Sequence, residues 1–178
     1  HKNLVFSTVG DERVFQRLPQ GPVKPALALS LHSTSSELRA ELLPRAPRIA
    51  PADLVEAGDR YARDTGYPMQ VQWTLLDGVN DTAAEVEGLV RLLKGRYAVL
   101  NMIPYNSVPD LPFRRPAWDK AVAIARELHA RGVLTKLRNS AGQDVDAGCG
   151  QLRARSLQQD SPLLPVNPGV ILQGLFGR

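Results

Sequence analysis

Five short apolar runs, NLVFST (3–8), ALALSL (26–31), VQWTLL (71–76), AVLNMI (98–103) and VLTKL (133–137), recur along this chain with helical patterns between them. That alternation limits the fold more than any other feature. The runs have strand length, and most are apolar on both faces rather than alternating, so they read as parallel strands covered on both sides. Strands and helices in alternation, joined by right-handed crossovers, leave two α/β architectures: a doubly wound sheet or a β/α barrel. Periodicity does not separate them. In both, ligand chemistry gathers at the C-terminal ends of the strands.

The intervening segments carry helix punctuation. Pro51 opens one that places Leu54, Val55, Gly58, Tyr61 and Ala62 on one face and ends near Gly66. Thr82 and Glu85 have capping-box spacing before Val86, Leu89, Val90 and Leu93, with Gly95 as the stop. Pro116 opens the last, with Trp118, Val122, Ala125 and Leu128 expected inward and Gly132 ending it. Weaker helical patterns fit DERVFQRL and SSELRAELL.

The chain has 178 residues, 43% of them hydrophobic and 22% charged, which suits one folded domain. We expect that domain over 1–155. Residues 156–178, rich in proline and glycine without a sustained period, read as a mobile tail or an arm on a partner surface. No run approaches the roughly 18 to 20 apolar residues of a membrane helix, and the N-terminal residues lack the order of a signal peptide, so the expected location is cytoplasmic. One cysteine makes no internal disulfide. The net charge of +4 is compatible with a polyanionic partner but is small and dispersed.

Polar residues cluster where the strands should end. Ser7 and Thr8 precede Gly10, and their hydroxyls could satisfy a turn or meet a ligand. His32 follows Ser30 and Leu31, either as a hydrogen-bonded histidine at the core's rim or as part of a site. LDGVNDT has the composition of a turn with a helix cap. Asn106, just past the fourth run, could grip a ribose or tie down its loop. Cys149 lies between Gly148 and Gly150, so it is either a small buried hydrophobe or a loop nucleophile. Asp144 and Asp146 would disfavour its thiolate, so a cation such as Arg138 or a bound sulfonium would have to offset them.

Taken in order, FSTVG, ALALSLHS, WTLLDGVND, NMIPYN and DVDAGCGQL resemble the C-terminal half of the radical SAM methyltransferases that modify C2 of an adenosine in 23S rRNA, and of close relatives acting at C8. The resemblance runs from about Lys2 to Leu152. It implies a partial β/α radical SAM barrel, here roughly strands three to six plus the cysteine segment. It further implies that Ser7, the Ser30–Leu31–His32 strand end and Asn106 line an S-adenosyl-L-methionine site, and that Cys149 carries the methyl group. In the family scheme that cysteine becomes S-methylcysteine. A second S-adenosylmethionine, cleaved reductively at a 4Fe-4S cluster, then generates the radical that activates the methyl for an electron-poor ring carbon. The implied partners are 23S rRNA, with transfer RNA as a second candidate substrate, and an electron donor for the cluster.

The family's C-x3-C-x2-C cluster loop, its second catalytic cysteine and its Gly-Glu-Pro strand end are not in this sequence, and the family places all of them upstream. The expectation is therefore an incomplete portion, inactive by itself; the alternative is a catalytically inactive module that binds S-adenosylmethionine or RNA. A run without its first two strands would leave an exposed parallel edge. Arg39, Arg45, Arg48, Arg114, Arg115, Arg153 and Arg155 are candidate phosphate contacts, or ordinary solvated surface.

Overall fold

The computed structural model describes residues 4–107 and 111–138. Five parallel strands, β1 (Val5–Thr8), β2 (Ala26–Ser30), β3 (Met69–Leu75), β4 (Ala98–Pro104) and β5 (Thr135–Leu137), form one sheet in the order β1-β2-β3-β4-β5. The helices are α1 (Glu12–Arg17), α2 (Ser36–Leu42), α3 (Pro51–Thr65), α4 (Ala83–Leu93) and α5 (Trp118–Ala130). Strand order resolves the ambiguity left by periodicity. A doubly wound sheet reverses its order at a switch point, whereas an unbroken progression of parallel strands with crossovers of one hand puts every covering helix on one face and curls the sheet as in a β/α barrel.

The main core is that covered face. Leu27, Leu29, Met69, Val71, Trp73, Leu75, Leu100 and Met102 pack against Leu54, Val55 and Tyr61 of α3, Val86, Leu89 and Leu93 of α4, and Ala121, Ile124 and Leu128 of α5. A fully buried tryptophan of this kind contributes several kcal/mol, and Trp73→Ala should cost about 3–5 kcal/mol. A smaller apolar cluster lies beyond the strand ends, where Leu42, Leu43 and Ala46 meet Leu76 and Tyr105, with Val9, Leu111 and Phe113 against them. It anchors the loops on which the polar residues sit.

Three expectations are corrected. Only β2 and β4 are buried on both faces; β3 alternates, with Met69, Val71, Trp73 and Leu75 buried and Gln70, Gln72 and Thr74 half-buried. Its second face carries no helix and need not be apolar. Trp118 does not face inward: it is 42% exposed, because it stands at the overhanging first turn of α5, and the buried stripe runs through Ala121, Ile124 and Leu128. Thr82 does cap α4 by accepting from Glu85 N–H, but the Glu85 carboxylate does not return to the cap. Elsewhere the punctuation holds: α3 begins at Pro51 and ends on left-handed Gly66. Among the described residues the edge strand β1 pairs only with β2 and leaves Val5 43% and Phe6 39% exposed, as an exposed parallel edge would.

Candidate functional site

Register places the polar residues together. Ser7 pairs with Ala28, Ala28 with Gln70 and Gln70 with Val99, while Ser30 pairs with Gln72 and Gln72 with Asn101. Side chains alternate along a strand, so Ser7, Ser30, Gln70, Gln72, Thr74 and Asn101 share the face opposite the helices. Asn101 is buried and donates to Gln70 Oε1 at 3.4 Å. A polar face at the centre of a parallel sheet is the inner wall of a β/α barrel built to meet something hydrophilic rather than a second layer of helices. The glutamines and Asn101 were overlooked as site candidates, although the alternation in MQVQWTL carried the signal.

At the C-terminal end of β2 the chain turns sharply. Ser33 N–H donates to Leu31 C=O at 2.9 Å across His32, whose φ is +60°. That combination marks the rarer, strained γ-turn, and such strain concentrates at ligand clamps. His32 is the one described non-glycine residue with positive φ. Its ring is wholly buried, with Nδ1 accepting the Thr74 N–H at 3.0 Å, so the tautomer protonated at Nε2 is assigned. Burial, and then the positive charge of Arg39, pushes its pKa down to about 3. His32 is therefore neutral near pH 7 and serves by shape and hydrogen bonding, not as an acid or base. Leu31 has its side chain in the core, so only backbone atoms of this residue could meet a ligand.

Two charged side chains hold this turn from outside. The buried Glu85 carboxylate of α4 accepts Ser33 O–H at 2.5 Å, Thr34 N–H at 2.7 Å and Thr34 O–H at 2.6 Å. One helical turn on, Gly88 lets Thr34 approach so closely that an added Cβ would stand 2.1 Å from Thr34 Oγ1. From α2, Arg39, only 3% exposed, donates to the carbonyl of Val9 beyond β1 and to that of Ser30 at 3.5 Å. It braces the two strand ends that carry Ser7 and Ser30. Glu85 was read from the sequence as a cap and Arg39 as a candidate phosphate contact or a solvated surface cation; no local spacing distinguishes those roles from the ones observed.

The other strand ends are occupied more conventionally. Thr8 accepts Gly10 N–H at 3.0 Å, the turn-satisfying role considered above. Asn80 is buried, donating to His32 C=O and Thr74 C=O at 2.8 Å and accepting Leu76 N–H at 2.8 Å. Asp81 accepts Gly78 N–H and pairs with Lys120 at 2.5 Å, with Asp77 3.6 Å from the same ammonium. LDGVNDT is thus a clamp. Beyond β4, Asn106 Oδ1 accepts from Arg115 at 2.7 Å, so Arg115 is engaged at the site's rim rather than presented as a surface cation. Arg45, Arg48 and Arg114 are exposed. Cys149, with Asp144, Asp146, Arg153 and Arg155, lies outside the described residues, as does the 156–178 segment.

The donor set of Ser7, Ser30, the backbone around His32 and Asn106 is neutral and rich in hydrogen-bonding groups, which fits a nucleoside carrying an amino-acid arm such as S-adenosylmethionine. An iron–sulfur cluster does not fit this chain: it needs several thiolates, the sequence has one cysteine, and no group of metal-binding side chains occurs among the described residues. No helix among them is long and apolar enough to cross a membrane.

Comparison with known proteins gives close relatives. No family model matches the chain. It is 70% identical to a probable RNA methyltransferase of Leptothrix cholodnii over 94% of the chain and 48% of that protein. It is 76% identical to a probable RNA methyltransferase of Methylibium petroleiphilum over 88% of the chain and 45% of the relative. Among solved structures it matches a radical SAM methyltransferase from Sphaerobacter thermophilus with a TM-score of 0.76 and 38% identity, covering 83% of the chain and 43% of that structure. The chain spans about half the length of the curated relatives it matches.

Proposed function

We propose that this chain is the C-terminal portion of a radical SAM RNA methyltransferase that places a methyl group on C2 of an adenosine in 23S rRNA, with transfer RNA as a further substrate. The observation that carries the reading is the likeness to a radical SAM methyltransferase structure over 83% of the chain, and the polar, strained strand end of β2 supports it.

In this reading Ser7 and Ser30 offer hydroxyls to the methionyl portion of S-adenosylmethionine, the backbone around His32 meets the adenine edge, and Asn106 the ribose. When bound, that group supplies an activated sulfonium methyl. Neutral His32 keeps a second positive charge away from the cationic sulfonium. Cys149 would be the acceptor: its thiolate would take up that methyl as a thioether, with its thiol proton released to solvent and S-adenosylhomocysteine left behind. Onward transfer to the adenine requires the cluster, whose ligands this chain does not contain.

The test is full-length protein prepared anaerobically with iron, S-adenosylmethionine, a reductant and 23S rRNA, followed by nucleoside mass spectrometry. The reading expects 2-methyladenosine. 8-Methyladenosine would replace the C2 assignment, and no methylated adenosine with an intact cluster and reduced electron donor would overturn it.

A further inference from the structure

Among the described residues, one cation is buried, and it has no opposite charge beside it. Arg39 is 3% exposed, its Nε has no hydrogen-bond partner among the described residues, and no described carboxylate stands within ion-pair distance of it or of Arg48. One of its two terminal nitrogens, Nη2, is shared between the Val9 and Ser30 carbonyls, two neutral acceptors. Burying an unpaired guanidinium is costly, and setting a second cation near it adds to the cost. Burial and then Arg48 pull its pKa down to about 10, so the two positive charges feel one another. Among the described residues no other arginine has so little exposure to water, and the part-exposed Arg96 and Arg131 are neutralised by carboxylates.

Arg39 and Arg48 line the same open hollow, of about 70 Å³, with Ser36, Ala40, Pro47 and Ile49. Its walls offer a hydroxyl and two guanidiniums, no carboxylate, and an apolar rim. That is complementary to a compact, acceptor-rich anion, and a guanidinium fork suits phosphate oxygens in particular. Through the Arg39–Ser30 bond the hollow adjoins the β2 end on which the proposed cofactor site rests. Arg48 and neighbouring Arg45 are exposed beside it, so a charged polymer could reach it from solvent.

We propose that the hollow between α2 and the segment leading into α3 is a phosphate site that seats one backbone phosphodiester of the RNA substrate beside the cofactor-bearing strand end. The inference rests on the RNA-modifying function proposed above and adds a location to it. Arg48 supplies the accessible contact, and Arg39 supplies charge from beneath while bracing β1 and β2. The phosphate in turn relieves the unpaired charge, so RNA docking and the geometry of the strand ends become coupled.

The test uses full-length protein and two readouts. In the first, affinity for a 23S rRNA fragment is measured against salt for wild type and Arg48→Gln, a surface change that leaves the core intact. The expected result is about tenfold weaker binding at low salt and a salt slope shallower by about one. In the second, the side-chain Nε–Hε resonances of Arg39 and Arg48 are followed by NMR during titration with inorganic phosphate. Both should shift in wild type, and the Arg39 shift should disappear in Arg48→Gln. Unchanged affinity and slope in Arg48→Gln and in the charge reversal Arg48→Glu, with wild-type RNA binding intact, would overturn the site while leaving the proposed function standing. A wild type that binds no RNA at any salt would remove both. Phosphate shifts without any effect on RNA would show a small-anion site and refute the RNA assignment.

Discussion

The N-terminal end of the sheet and the C-terminal end of β2 treat buried charge in opposite ways. At the N-terminal end, Asp59 of α3 accepts the Tyr97 N–H at 2.7 Å and pairs with Arg63 at 3.1 Å and Arg96 at 3.3 Å. Burial alone would raise its pKa, but the Tyr97 N–H and the two guanidiniums hold it below the usual carboxylate range. Charge there is locally balanced and the cluster locks α3 to the entry of β4. At the C-terminal end, Glu85 is held only by hydroxyls and an N–H, Arg39 only by carbonyls, and His32 sits at positive φ between them. One end is finished as a structure; the other carries unpaired charge and strain that a ligand can resolve. In barrel enzymes this is the division between a face that serves stability and a face that serves chemistry.

Substitutions should separate the two ends. The largest effect is expected for Glu85→Ala, which strips three donors of their acceptor. It should cost about 3 kcal/mol by denaturant unfolding and weaken S-adenosylmethionine binding in the full-length protein, since the His32 turn loses its brace. Loss of stability with unaltered cofactor affinity would place Glu85 with the structural end instead.

Acid should produce a nearly equal effect. The folded-state pKa of His32 is depressed to about 3 from an unfolded value near 6.5, so the unfolded chain takes up the proton first. Its contribution is fully present above about pH 6.5 and is lost as pH falls toward 3, the loss reaching about 3 kcal/mol at pH 4. His32→Asn, which tolerates positive φ, should flatten that part of the stability profile. A profile as steep as wild type would show the ring to be less buried than described.

Asp59→Asn should lose about 1–2 kcal/mol of stability with cofactor and RNA affinity unchanged. Any selective loss of binding would blur the comparison. Trp118→Ala, on the exposed first turn of α5, should change stability by less than about 0.5 kcal/mol, as thermal melting can check.

Much of this fold was legible in the sequence because strands and helices announce themselves locally. All five strands overlap the runs read as strands, and Pro51, Gly66, Thr82 and Gly95 act where the punctuation places them. What local signals omit is long-range choice. Strand order came only with the assembled sheet. Glu85 stands where a capping-box glutamate would, yet the tertiary fold brings Ser33 and Thr34 nearer than its own cap. Arg39 looked like one cation among many because nothing in its neighbours reveals that α2 lies across two strand ends. Trp118 fits the helical stripe, but helical periodicity does not say where along α5 the packing against the sheet begins. Ser7 and Ser30 were named from a family likeness, and the register independently sets them on one polar face.

The most direct test of the account is intact and peptide mass spectrometry of the full-length protein expressed with iron. A methyl-sized increment on the peptide containing Cys149, absent from Cys149→Ala together with RNA methylation, is the predicted result. Normal RNA methylation by Cys149→Ala, or an active wild type that never carries a methyl group at Cys149, would contradict it.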